Sequence, residues 1–263
     1  MTDRLERVEH RVETAHGALF AVSWTTADAH DAAPILLLHD SLGCVTLWRD
    51  FPAALAQATA RRVVAYDRLG FGRSDPHPAK LGLDFIRDEP IDGFAAVRRA
   101  FALERFVLFG HSVGGGMAIA AAARHADACD AVVTEAAQTF VEDRTLEGLR
   151  EAQRTFADPE RVERLRRLHG DKTEWVLSAW LDTWLAPEFA HWSLDADFPR
   201  VSCRVLAIHG DQDEYGSLVH PHRIATRVSG TGRKLILSGC GHVPHRERER
   251  DVLAAVRAFL ARE

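Results

Sequence analysis

At 263 residues, with 46% hydrophobic and 27% charged positions, the chain is long enough for a full core and has the balance of a folded globular protein. A net charge of −5 and a pI near 6.3 remove the electrostatic case for nucleic acid or an anionic membrane surface as partner. No apolar run approaches the roughly 18–20 residues that cross a bilayer, the opening M-T-D-R-L-E-R-V-E-H lacks the apolar centre of a secretory signal, and Cys44, Cys129, Cys203 and Cys240 have no C-x-x-C spacing, so reduced thiols in a cytoplasmic protein are expected.

Val8–Thr14 and Ala18–Thr25 alternate around His16-Gly17 and predict a hairpin. Pro34 introduces Ile35–Leu38, a continuous apolar run suited to a strand covered on both faces. His39-Asp40-Ser41-Leu42-Gly43 follows, then a helical stretch from Trp48 to Ala60 and a second buried strand, Arg62–Tyr66. A glycine-punctuated turn fills Asp67–Asp75, and apolar positions at Phe94, Val97, Phe101 and Leu103 predict an amphipathic helix over Asp92–Leu103.

Phe106–Phe109 is another short apolar run, followed by Gly110-His111-Ser112-Val113-Gly114 and an alanine-rich helical segment, Met117–Ala123. A strand passing into a helix through G-x-S-x-G makes so tight a turn that glycine is required two residues before and after the serine. Ser112 would then stand at a helix N-terminus, where backbone N–H groups and the helix dipole favour negative charge. Further strands are predicted at Ala131–Thr134, ending in Glu135; at Cys203–Ile208, leading into His209-Gly210-Asp211-Gln212-Asp213; and at Leu235–Leu237, leading into Ser238-Gly239-Cys240-Gly241-His242. A last amphipathic helix is expected from Glu247 to Arg262. Between about Gln138 and Arg200 the alternation breaks, leaving two helix-like segments, Pro159–Leu168 and Lys172–Leu185, and no clear strand. Apolar strands alternating with helices specify an α/β fold, a mostly parallel sheet with helices on both faces and ligands at the strands' C-terminal ends.

From about Ala18 onward, the elbow G-H-S-V-G and the D-x-x-G-x-G-x-S pattern of Asp67–Ser74 resemble the α/β-hydrolase superfamily. The resemblance implies a core domain of residues 1–137 and 201–263, with 138–200 inserted as a helical cap. It implies a triad in the superfamily's order: Ser112 as nucleophile, Asp213 as acid, His242 as base. Asp211 and Glu135 are the alternative acids. Oxyanion donors are expected at the backbone N–H groups of Val113 and Ser41. Relatives carry glycine where this chain has Asp40, so that carboxylate either caps the loop or meets a polar substrate group. The Asp67–Asp75 motif is expected to be structural.

Pocket candidates are Asp40, His111, Trp180 and Trp184, the two tryptophans sharing a helix face, while Trp175 and Trp192 suit cap packing. His220, His222, His242 and His245 do not complete a zinc set at firm spacing, and neither metal nor cofactor is expected. Arginines around Arg166 and Arg246 suit solvated helix faces. The function expected by resemblance is hydrolysis of a small-molecule carboxylic ester through an acyl-enzyme. A serine nucleophile argues against the aspartate-dependent branches, and His111 stands where many carbon–carbon bond hydrolases carry asparagine. A lactonase, thioesterase, carbon–carbon bond hydrolase or cofactor-free haloperoxidase would use the same residues. A ligand-binding receptor that turns over negligibly is the rival from another class.

Overall fold

The computed structural model describes residues 5–29 and 32–261. The expected charged start at residues 1–4 and the end of the last helix at Arg262 lie outside the described residues. Eight strands form one sheet: β1 (Glu6–Thr14), β2 (Gly17–Thr25), β3 (Ile35–Leu38), β4 (Val63–Tyr66), β5 (Phe106–His111), β6 (Cys129–Glu135), β7 (Arg204–Gly210) and β8 (Gly232–Leu237). Their order is β1-β2-β4-β3-β5-β6-β7-β8; β1 pairs antiparallel with β2 and β2 with β4, and the other neighbours are parallel. Parallel strands cannot be joined by tight hairpins, so each pair is bridged by a crossover, and every strand from β3 onward ends on the same sheet edge.

The helices among the described residues are α1 (Phe51–Thr59), α2 (Phe85–Asp88), α3 (Gly93–Ala100), α4 (Val113–Arg124), α5 (Asp143–Thr155), α6 (Pro159–His169), α7 (Thr173–Trp184), α8 (Val219–Arg227), α9 (Pro244–Glu247) and α10 (Glu249–Leu260). The strand period of two sorts the core into two layers. Leu36 and Leu38 of β3, with Val64 and Leu108, pack against α3 and α4. Ile35 and Leu37, with Val63, Val107 and Phe109, pack against α1 and α10. All four β3 side chains are buried, each contributing on the order of 1.5–3 kcal/mol.

Four helices escape the apolar pattern. The buried face of α5 is only Thr145, Leu149 and Ala152, a stripe too thin to register against seven charged or amide positions. That of α8 is His220, Pro221 and Ile224, and α2 and α9 are single turns. The expected helix from Trp48 divides instead into a 3-10 turn, Val45–Trp48, and α1, because Arg49 has φ 53° and Pro52 suits only a first helical turn. No helix is long and apolar enough to cross a membrane among the described residues. The four cysteines are free, with the sulfurs of Cys129 and Cys203 3.9 Å apart.

The Asp67–Ser74 motif ties the sheet edge together. The Asp67 carboxylate accepts the backbone N–H groups of Val45 and Arg73, while Ser74 Oγ donates to Asp67 O and accepts from Phe20 N–H. Burial pushes the Asp67 carboxyl up to about 6. His39 anchors the loop after β3 from the other side: its Nε2 accepts Arg68 N–H at 3.1 Å and its Nδ1 donates to Asp40 O at 2.8 Å.

Candidate active site

Ser112 links β5 to α4 at φ 55° and ψ −124°, a backbone conformation that costs a non-glycine residue on the order of 1–3 kcal/mol. The flanking glycines explain how the turn closes. A Cβ on Gly110 would lie 2.1 Å from Gly114 O, and one on Gly114 would lie 2.1 Å from Leu38 O. Only glycine lets α4 approach β3 this closely, and that approach presents the serine hydroxyl above the sheet edge.

Ser112, His242 and Asp213, each supplied by a loop at that edge, form one hydrogen-bonded chain. Ser112 Oγ lies 3.0 Å from His242 Nε2, and His242 Nδ1 lies 2.9 Å from both Oδ1 and Oδ2 of Asp213. Asp213 is 1% exposed; its Oδ1 also accepts the N–H groups of Tyr215 and Gly216, and His209 Nε2 stands 3.3 Å from Oδ2. Burial pushes the Asp213 carboxyl upward, but the charge and hydrogen bond of His242, with His209 and Tyr215 N–H, leave it below the ordinary carboxylate range. Burial likewise works against His242 carrying charge, yet Asp213, then Glu214 and Asp40, raise it above the usual 6.5. The arrangement can take a proton from the serine and hold the resulting imidazolium.

The alternative acids are engaged elsewhere. Asp211 Oδ1 accepts Gly239 N–H at 2.7 Å, the work of a turn residue. Glu135 is fully buried and bonds His245 Nδ1 through Oε2 at 2.5 Å. Donor atoms of His111, Glu135 and His245 lie within 4.8 Å of one another and could meet a metal ion, but both imidazoles already hold hydrogen-bond partners. The histidines weighed for zinc do not gather: His220 bonds Glu142 and Thr139, and holds the segment after β6 to α8. Burial raises the Glu142 carboxyl, but His220 and Ser217 bring it down to about 2.

A cavity of about 190 Å³ opens beside Ser112. Asp40, Ser41 and Leu42 line one side; Thr145 and Leu149 of α5 with Trp180 and Trp184 of α7 form the opposite wall. Gln138, Glu214, Tyr215 and Val243 complete it. Gln138 Oε1 is 3.5 Å from Ser112 Oγ, and the Tyr215 ring sits 4.8 Å from that of His242. Burial pushes the Tyr215 phenol up to about 12. None of these last four residues stands out in the sequence; proximity to Asp213 and His242 was the one available signal for Glu214, Tyr215 and Val243. Val113 is buried as the first residue of α4. Trp175 packs on Phe71 and His77, and Trp192 on Trp184 and Phe189.

His111 departs from expectation, because it does not line this cavity. As the last residue of β5 it turns its ring away from the serine. Its Nε2 donates to His242 O at 2.8 Å, and the ring faces a separate hollow of about 60 Å³ shared with Asp40 and His245. Burial pushes the His111 imidazole down to about 4. Asp40 reaches both hollows: Oδ2 stands 3.7 Å from His111 Nδ1, and a Cβ on Gly43 would lie 2.1 Å from Oδ1. A larger depression of about 1120 Å³, lined by Pro34, Arg62 and Cys129 among others, sits at the opposite sheet edge and shares no residue with the Ser112 site.

A family model for the alpha/beta hydrolase fold matches residues 33–180. The chain is 38% identical over 100 residues to the 2-hydroxymuconate semialdehyde hydrolase of Pseudomonas sp. (strain CF600), an alignment covering 36% of this chain and 34% of that protein. It is 28% identical over 187 residues to the human serine hydrolase BPHL, covering 67% of this chain and 62% of that one. The chain therefore matches about a third to three-fifths of these relatives' lengths. Among solved structures, 2-hydroxy-6-oxo-6-phenylhexa-2,4-dienoate hydrolase from Rhodococcus sp. strain RHA1 superposes with a TM-score of 0.82 at 19% identity, covering 99% of this chain and all of that one (100%), a likeness of fold.

Proposed function

With the chain a member of the α/β-hydrolase fold family, we propose that it is a serine hydrolase cleaving small-molecule carboxylic esters, with residues 138–200 as a helical cap over the site. The observation that carries this reading is the chain from Ser112 Oγ to His242 Nε2 at 3.0 Å and from His242 Nδ1 to Asp213 at 2.9 Å. His242 removes the hydroxyl proton as Ser112 Oγ attacks the ester carbonyl. The N–H groups of Val113 and Ser41 receive the oxyanion, helped by the positive end of α4. Collapse of the tetrahedral intermediate expels the alcohol, which takes the proton from His242. Water then adds to the acyl-enzyme with the same base, releasing the acid and restoring Ser112. Asp213 holds the imidazole's tautomer and offsets its charge.

Steady turnover of p-nitrophenyl acetate or butyrate, abolished in Ser112→Ala, is the expected result. No turnover, together with no labelling of Ser112 by a fluorophosphonate, would overturn the reading in favour of a binding protein on this fold. The alignment with 2-hydroxymuconate semialdehyde hydrolase favours carbon–carbon bond hydrolysis as a second reading. Cleavage of a 2-hydroxymuconate semialdehyde with kcat/KM far above that for any ester would select it.

A further inference from the structure

The charge of the cavity goes beyond the triad. Two carboxylates, Asp40 and Glu214, line it with the reactive serine, and no lysine or arginine does so among the described residues. Neither carboxylate accepts a hydrogen bond from a described protein group; the ion-pair contact of the Asp40 carboxylate is with His111 Nδ1, at 3.7 Å. The guanidinium groups of Arg68 and Arg246 stand close enough to feel the Asp40 charge, but they hydrogen-bond the carbonyls of Asp40 and Leu47, as Arg144 does that of Asp213, and none of the three lines the cavity. The remaining wall is largely aromatic. Trp180 and Tyr215 meet edge to face with centroids 6.0 Å apart, and Trp184 lies one turn further along α7.

Carboxylates at the rim and aromatic faces in the wall both attract a compact cation, and both repel an anion, more strongly in a half-enclosed cavity than in open water. Resting on the ester-hydrolase reading, we infer that this cavity selects esters carrying an ammonium group and rejects those carrying a carboxylate. The volume of about 190 Å³ corresponds to roughly six waters at ~30 Å³ each, which limits the group to a small one.

The test uses three acetates of similar size followed by pH-stat: acetylcholine, its uncharged carbon isostere 3,3-dimethylbutyl acetate, and 3-acetoxypropanoate. The expected order of kcat/KM is cation, then neutral, then anion, with a cation-to-anion ratio of at least about tenfold at low salt. Glu214→Gln, a substitution at an exposed position, should reduce that ratio several-fold, and Asp40→Asn/Glu214→Gln further. Because each ratio compares substrates on one enzyme, an effect on His242 common to all three cancels. With Ser112-dependent hydrolysis of p-nitrophenyl butyrate present, a ratio at or below one, a ratio unchanged in both variants, or no hydrolysis of the three acetates overturns the inference and leaves the ester-hydrolase reading standing. Absence of p-nitrophenyl butyrate turnover and of fluorophosphonate labelling overturns both.

Discussion

Ser112 occupies a strained turn whose φ of 55° presents its hydroxyl to His242 rather than to its own helix. Ser112→Ala keeps the turn and removes only the nucleophile, so kcat/KM should fall by on the order of 10⁴-fold or more, with fluorophosphonate labelling lost. The two buried carboxylates at neighbouring strand ends separate in the same assay. Asp213→Asn should lower kcat by on the order of 10³–10⁴-fold, because an amide cannot hold the imidazolium or its tautomer. Glu135→Gln should lower it by less than about tenfold, since Glu135 bonds His245 and not His242. The pH profile follows from the charges around His242. Its proton affinity is raised above the ordinary 6.5, and only the neutral imidazole acts as base, so kcat/KM should decline as pH falls through a value above 6.5. Glu214→Gln removes one of the charges that raise it, and the acid limb should move to lower pH.

The strand–turn–helix unit of β5 and α4 depends on contact between backbones. At Gly114 an added methyl would stand 2.1 Å from Leu38 O, and neither β3 nor α4 can yield without opening the core between them. Gly114→Ala should therefore destabilise the fold by about 2–3 kcal/mol, read as a fall in Tm of roughly 4–12 °C. This element was legible in the sequence because everything that specifies it is local: an apolar run, four glycines and an alanine-rich segment within 18 residues of Arg105. The α5 helix was not legible. Leu149 and Ala152 are its only buried aliphatic positions, and with Thr145 they form a recognisable face only once the core and the cavity that Thr145 and Leu149 wall exist.

In the whole molecule, one sheet edge collects the loops after β3, β5, β7 and β8, and helices α5 and α7 close over it. The small cavity they leave should hold acyl groups of two to four carbons, with kcat/KM for p-nitrophenyl esters falling steeply at octanoate; Leu149→Ala should move that optimum toward longer chains. The amino-acid sequence by itself determined the α/β class and the elbow, because strand periodicity and glycine turns act over a few residues and parallel strands all end on one edge; Asp213 and His242 were named by resemblance to the superfamily, with Asp211 and Glu135 left open as the acid. Only the tertiary structure decided that Glu135 turns to His245, that His111 faces away from the serine, and that Gln138, Glu214 and Tyr215 join Asp40 in the wall. Those outcomes depend on which side chains long crossovers bring face to face, and no local period encodes that.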